Sequence, residues 1–467
     1  MAYNFLPYER DQSYLMPPNL RDWLPEEHLS WFVLDAVEQL DLSEFYCRHR
    51  DDGWGAPAFD PKLMVGLLLY AYCTGCRSSR RIEQRCREDV GYRVVTANLV
   101  PDHVTVARFR QGYAVELNRL FVQVLQLLAA AGMVRVGVVA VDGTKVAANA
   151  SLDANRKSSA IEAEVTQLLA EAQATDDAED REFGAGERGD ELPEGLRRRS
   201  ERLALLQKAK AQLEERGSRR REAYERLLEE REAKEAERGQ KLRGRKPKAP
   251  DPRPDDAGRA NLTDPESRIM KSAKGYVQGY NAQLVVTADQ IILAASCTSE
   301  ENDHHQLHPM LAQASDNVAA ALLPAPIRAV VADAGYYTDA NVMAAARAGP
   351  ELFIATANRH PWRRALSEGG GPHGRIPRRL SLKERMTRKL LTKRGQQVYR
   401  IRSRSVEPVF GMIKYVRGAN SFLRRGRRAC DAEWKLLATT HNLLKLWRRA
   451  TGHPRCERGN RRSPVAA

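Results

Sequence analysis

The chain has no apolar run approaching the roughly 18 to 20 residues that a membrane-spanning helix requires. Its first residues, MAYNFLPYERDQ, lack the basic start and apolar core of a signal peptide. No repeat of a solenoid kind recurs along it. Cysteine is scarce and odd in number, seven residues scattered over 467 positions. That argues against a disulfide framework and for a reducing compartment. Cys73 and Cys76 make a single C-x-x-C without the second pair expected of a zinc site, so they read as two thiols on a helix face. Acid is also short against base, 60 Asp and Glu facing 75 Lys and Arg, for a net charge of +15. A polyanion is the expected partner, with an anionic membrane surface as the alternative. The length admits two or three domains.

Against these absences stands VVAVDGTKVAANAS, residues 138–151. An apolar, β-branched run ends in one carboxylate, Asp142, followed by Gly143. An Asp is rarely buried unless paired or bound to metal. The pattern returns in RAVVADAGYY, where Asp333 follows the valines and Gly335 follows the Asp. A third acid, Glu407, opens a helix-like run, VEPVFGMIKYVRG. Taken singly, each has an ordinary reading as a turn residue, a helix cap or a charge at a helix start. Taken together, two strand-end aspartates and a helix glutamate supply the hard oxygens that can hold two divalent ions about 3.5 to 4 Å apart. The carboxylates are then expected within about 4 to 7 Å of one another. The glycines after the acids are expected to let a phosphate backbone come close.

The flanking patterns divide the chain. Residues 1–130 read as helices: apolar residues recur at helical spacing from Leu29 to Leu40, and Asp60–Pro61 marks a helix start. Arg80, Arg81, Arg108 and Arg110 are expected exposed there, as a DNA-binding helical bundle needs, although a solvated basic face reads the same way. From 152 to 267 strand patterning vanishes into Glu, Arg, Lys and Ala. Leu196 with Leu203, and Leu206 with Leu213, recur every seven residues, which predicts a helical hairpin outside the sheet. The Pro-rich basic stretch after it reads as a linker. Within it RGRKP, residues 243–247, reads as solvated chain or as a minor-groove hook. Strands are predicted over 276–287, 291–298 and within PIRAVVADAGYY, then alternate with helices. Glu300, Asp303, His304 and His305 read as a capped helix start, with a metal role as the alternative. Residues 453–467 read as a disordered tail.

At this point the sequence resembles a known family, the bacterial insertion-sequence transposases of the DDE class. The segments that carry the resemblance include FDPKLMVGLLLYAYCTGCRSSRRIE, VDGTKVAANAS, DPESRIMKSAKGYVQGYNAQLVV, ENDHHQLHPML, VVADAGYYTDANV and VEPVFGMIKYVRGANSFLRRG. The resemblance implies an α/β fold: a ribonuclease H-like mixed sheet flanked by helices, with an all-α N-terminal domain and an α-helical hairpin insertion. The catalytic domain would be 131–151 together with 268–452. Asp142, Asp333 and Glu407 would be the catalytic metal ligands, for two Mg²⁺ ions with Mn²⁺ able to substitute. The implied reaction is cleavage at element ends and strand transfer into target DNA.

The family's third acid sits in a Tyr-Arg-Glu-Lys pattern, which Tyr399, Arg402, Glu407 and Lys414 fit. The Arg-to-Glu gap is one residue longer than usual, so Arg400 and Arg404 stay open as alternatives. Lys414, Arg417, Arg424 and Arg425 are expected to contact DNA phosphates. The implied partners are double-stranded DNA, as terminal inverted repeats and as target, and further copies of the chain, a homodimer or larger on DNA. No membrane is expected, and the location is cytoplasmic and nucleoid-associated. A catalytically dead DNA-binding or assembly protein, or a stand-alone nuclease, would share many of these features.

Overall fold

The structure, a computed structural model, describes residues 19–48, 58–183, 194–242, 244–249, 259–272, 275–323, 325–357, 372, 374–377 and 379–452. Arg243 of the RGRKP stretch, residues 250–258 of the Pro-rich linker and the tail 453–467 lie outside them.

The first part is helical: α1 (Leu29–Glu38), α2 (Ser43–Tyr46), α3 (Pro61–Cys73), α4 (Ser79–Glu88), α5 (Val90–Val95), α6 (His103–Gly112) and α7 (Ala114–Ala130). The starts follow local chemistry. Asp60 accepts from the Lys62 N–H and Pro61 fills the first helical position of α3. Asp102 accepts from the Val104 and Thr105 N–H groups at the start of α6.

The chain then enters β1 (Val138–Ala147), makes the short strand β2 (Asn155–Lys157), and runs through two long helices, α8 (Ser158–Phe183) and α9 (Glu194–Arg238). It returns by β3 (Arg259–Asn261), which pairs antiparallel with β2. This excursion contributes no strand to the main sheet among its described residues. It has a small core of its own, where Leu206, Ala209 and Leu213 meet Ile161 and Ala260. Of the heptad leucines, Leu206 and Leu213 therefore pack against α8 and the root of the excursion, and the side chain of Leu196 lies outside the described ones.

The sheet resumes with β4 (Arg268–Ser272), β5 (Gly275–Thr287) and β6 (Ile292–Thr298). It continues through α10 (Leu307–Ala320), β7 (Ala329–Ala332), α11 (Asp339–Ala348) and β8 (Glu351–Ile354). The strand order is β4-β5-β1-β7-β8, and β6 also pairs with β5. β5 is antiparallel to β1, β4 and β6, whereas β1, β7 and β8 run parallel. This is the ribonuclease H-like mixed sheet that the sequence led us to expect. β4 was not predicted: RIMKS buries only Met270, so its apolar signal is weak.

Among the described residues that follow, the α-helices are α12 (Leu382–Leu391), α13 (Lys393–Tyr399), α14 (Ile401–Gly411) and α15 (Arg427–Ala450). α15 lies between the sheet and the N-terminal helices, with Trp434 fully buried and its Nε1–H donating to the Gln283 carbonyl at 3.0 Å. One continuous apolar core runs from Leu29 in α1 through β1, β5 and β7 to Leu444 in α15. A buried ion pair crosses the same contact, Arg77 Nη1 to Glu433 Oε1 at 2.7 Å. The N-terminal helices are thus packed into the same core as the sheet. No helix among the described residues is long and apolar enough to cross a membrane.

Candidate active site

Asp142 was expected at a strand end, but it lies inside β1, one residue past the last β1–β7 pair, Val141 with Ala332, while β1 runs on against β5 to Ala147. Val139, Ala140 and Val141 are fully buried, and β1 is paired on both edges. Asp142 itself is only 6 % exposed. Asp333 follows β7, the parallel neighbour, so both aspartates stand just past the end of the β1–β7 pairing. Each is held by a local amide: the Gly143 N–H donates to Asp142 Oδ1 at 2.9 Å, and the Gly335 N–H to Asp333 Oδ1 at 2.8 Å.

Glu407 arrives from α14. It lies inside that helix, not at its start, and Pro408 follows it within the helix. Pro has no N–H, so the Arg404 carbonyl one turn back loses its helical donor. Gln290 Nε2 supplies the missing bond to that carbonyl at 2.8 Å. Tertiary contact therefore permits a helix through a residue that the sequence reading took as its beginning.

The three acids meet at one guanidinium. Arg402 Nη2 is 2.7 Å from Asp142 Oδ2 and 3.9 Å from Asp333 Oδ2, and Nη1 is 3.2 Å from Glu407 Oε1. Arg400 and Arg404 are exposed, so Arg402 is the arginine turned to the acids. Tyr399 is half-buried beside it, and burial raises its phenol. Among the described residues no three Asp, Glu, His or Cys side chains stand close enough to enclose a metal ion as they are. A guanidinium lies between the three acids instead.

The electrostatics follow from burial. Desolvation pushes the Asp142 carboxyl up to about 7, against the pull of Arg402 and with a push from Asp333. Asp333 is raised for the same first reason and likewise opposed by Arg402. Three hard-oxygen ligands around one cation are a donor set suited to a divalent ion of the Mg²⁺ type.

Several expected DNA contacts are placed otherwise. Arg110 is buried: Nη1 donates to the Arg77 carbonyl at 2.7 Å and the Tyr72 hydroxyl at 3.1 Å, and Nη2 to Ser79 Oγ at 3.2 Å. Positions i and i+2 diverge on a helix, and this one turns into the core while Arg108 faces out. Arg417 is also buried, donating to Thr440 Oγ1 at 2.8 Å and the Leu437 carbonyl at 2.9 Å, and burial pulls it down to about 10. Neither arginine is available to a phosphate. Lys414 sits on a π-helical turn (Met412–Val416) after α14. Its Nζ donates at 2.9 Å to both Thr144 Oγ1 and the Lys145 carbonyl, so two of its three protons are spent on β1. Arg424 is half-buried, and Arg425 is exposed with Nε on the Asn149 carbonyl. Arg80, Arg81 and Arg108 are exposed.

Gly143 is glycine for a reason other than the expected one. A Cβ there would lie 2.2 Å from Gln283 Nε2 and 2.8 Å from Asp303 Oδ1, so the space is taken by the protein's own side chains. Asp303, read from sequence as part of a capped helix start with a metal role as the alternative, faces this cluster. The missed signal was on β5, where Asn281 and Gln283 break an otherwise apolar strand at alternate positions.

A family model described as Transposase DDE domain matches residues 206–443, half of the chain, and one described as Transposase domain (DUF772) matches residues 18–112. The chain belongs to the insertion-sequence transposases of the DDE class. Neither a curated protein nor a solved structure is matched by it. In this transposase the first match covers α10, β7 and α14, and with them Asp303, Asp333 and Glu407, whereas β1 and Asp142 lie outside both matched spans. Asp142 is joined to the set by the sheet, through the β1–β7 pairing.

Proposed function

We propose that this transposase cuts DNA at the ends of its element and joins those ends to target DNA by metal-dependent phosphoryl transfer. The observation that carries the proposal is the convergence of Asp142, Asp333 and Glu407, from two strands and a helix, on the single guanidinium of Arg402. Three acids so far apart in sequence, turned to one cation, make a site for cations and for the phosphates that cations bind.

Asp142, Asp333 and Glu407 would hold two Mg²⁺ ions, for which Mn²⁺ can substitute. Such ions, when bound, activate an attacking oxygen and stabilise a leaving one. The chain's own residues set the conditions. Burial keeps Asp142 protonated to unusually high pH, so it takes up a cation in exchange for a proton. Arg402 balances the acids in the absence of another cation and, once displaced, has a planar donor fork suited to a phosphate. The Gly143 and Gly335 amides fix one oxygen of each aspartate and leave the other to turn to the ligand.

The substrate is double-stranded DNA in the bacterial cytoplasm, as terminal inverted repeats and as target, with two or more copies of the chain bringing the ends together. The domains act as 1–130 for end recognition, 131–151 with 268–452 for catalysis, and 152–267 as a helical insertion. Arg80, Arg81 and Arg108 lead the end-binding face, and Arg425 with half-buried Arg424 lies beside the cut.

The test is nicking and joining of a duplex carrying the element's ends, by the full chain with Mg²⁺. Asp142→Asn, Asp333→Asn and Glu407→Gln should each abolish cleavage and spare DNA binding, which rests on Lys and Arg. Cleavage that survives Asp142→Asn would overturn the assignment. Binding without cleavage by the wild type would mark a dead assembly protein, and cleavage without joining a nuclease.

A further inference from the structure

A fourth carboxylate stands beside the three. Asp303 lies in the turn between β6 and α10. Its Oδ1 accepts 2.7 Å hydrogen bonds from Asn281 Nδ2 and from Gln283 Nε2. Both donors come from β5 and are fully buried. Gln283 is itself oriented by the buried Tyr336 hydroxyl, which donates to its Oε1. The carboxylate is therefore pinned from below by one oxygen, and the direction of the other is set.

That second oxygen lies beside Gly335, as does Asp333 Oδ1. Asp303 Oδ2 lies 3.3 Å, and Asp333 Oδ1 3.1 Å, from the same point, the place a Cβ on Gly335 would take. Two cations stand nearby, and both pull on Asp333. Lys145 Nζ is 3.9 Å from Asp303 Oδ1 and donates instead to the Glu301 carbonyl at 2.6 Å. Arg402 is 3.9 Å from Asp333. Like charges placed this way repel unless a cation joins them.

A separate observation points the same way. Asn281 is fully buried, yet its Oδ1 has no hydrogen-bond partner. It is aimed at the Gly143 side of the cluster, 2.9 Å from where a Cβ on that glycine would be, with Asp303 Oδ1 2.8 Å from the same point. An orphaned buried acceptor carries a real cost, about 1 to 3 kcal/mol. Here it sits on the same side of Gly143 as Asp303 Oδ1, so a buried acceptor without a donor adjoins the carboxylate.

We infer that Asp303 is a fourth cation-binding carboxylate, sharing a divalent ion with Asp333. The inference rests on the reading of the site proposed above. It assigns to the β6–α10 turn a role that the helix-start reading does not contain. It also gives a reason for two buried amides on β5, which hold Asp303 beside Gly335.

Asp303→Asn separates this role from a structural one. The asparagine keeps an oxygen for Asn281 and Gln283 to bond and replaces only the oxygen beside Gly335. Mn²⁺ binding to the full chain would be followed by calorimetry and by electron paramagnetic resonance, with melting temperature measured without metal. Asp303→Asn should fold as wild type and either lose one of the two Mn²⁺ ions or bind one about tenfold or more weakly. Asp303→Ser, which leaves room for a water, should show the same loss and serves if the asparagine variant melts low. If Mn²⁺ titrations of both variants superimpose on wild type while Asp142→Asn loses metal, this inference fails and the three-acid site stands. If Asp142→Asn and Asp333→Asn also bind Mn²⁺ as wild type does, the reading of the whole site fails with it.

Discussion

Arg402 Nη2 lies 2.7 Å from Asp142 Oδ2, although 260 positions separate the two residues. The contact joins α14 to β1 and puts a fixed positive charge where the two aspartates and Glu407 would otherwise repel. On the function proposed above, the guanidinium and a divalent ion would be alternatives for the same oxygens.

Replacing Arg402 with Gln tests this exchange. Without metal, the variant should melt lower than wild type, with a loss of about 1 to 3 kcal/mol, the scale of hydrogen bonds to charged groups. Mn²⁺ should bind it more tightly than wild type because no guanidinium has to leave, and cleavage should fall. Equal Mn²⁺ affinity in the two proteins would rule out competition.

The raised carboxyl of Asp142 gives a pH dependence with a definite sign. Its folded value, about 7, lies above the 3.8 of an ordinary aspartate. Its contribution to stability is therefore complete below about 4 and is lost as pH rises through about 7. The metal-free wild type should lose stability relative to Asp142→Asn over that window, and Mn²⁺ affinity should rise across it as the proton is displaced. Melting curves of the two proteins that stay parallel from acid to neutral pH would contradict this. The comparison between variants matters because buried His441, pushed well below its usual value by burial, acts in the opposite direction.

Arg108 and Arg110 should separate binding from folding. Arg108→Ala should leave melting unchanged. It should cost about 1 to 3 kcal/mol in binding terminal-repeat duplexes if the contact is to a base, or flatten the salt slope by about one unit if it is to a phosphate. Arg110→Ala should lower melting instead, because it strands the Arg77 carbonyl and the Tyr72 hydroxyl. A duplex-binding titration at two salt concentrations, beside a melting curve, distinguishes the two. An Arg110→Ala protein of normal stability would contradict the buried assignment.

The Arg77–Glu433 pair predicts how the parts unfold. Glu433→Ala leaves Arg77 buried without its partner and should cost about 3 to 5 kcal/mol. Because the core is continuous from α1 to α15, the N-terminal helices and the sheet should melt in one transition. Two resolved transitions, with the first removing only helix signal, would show that residues up to 130 fold apart from the rest.

The sequence by itself determined the chemistry of the acids and the order of the parts. Val139 to Val141 before Asp142, and Val330 to Ala332 before Asp333, are runs with one buried solution, a central strand. Asp333 does follow its strand, whereas β1 continues past Asp142 to Ala147, because pairing with β5 extends it. The charge and heptads of residues 152–267 left a helical excursion as the reading, since such a segment buries too little for a sheet. Pairing was beyond its reach. That β1 lies between β5 and β7 depends on contacts far apart in the chain, and only that order brings Asp142 beside Asp333. Direction was beyond it as well. An arginine in a basic segment looks the same whether it faces solvent, as Arg108 does, or the core, as Arg110 and Arg417 do. Local spacing left Arg400, Arg402 and Arg404 equivalent, and the packing of α14 against β1 selected Arg402. The same packing, with Gln290 relieving the carbonyl that Pro408 leaves open, carried Glu407 into the interior of a helix. Residue type limits what a side chain can do, but what it meets is decided when the strands pair and the helices close over them.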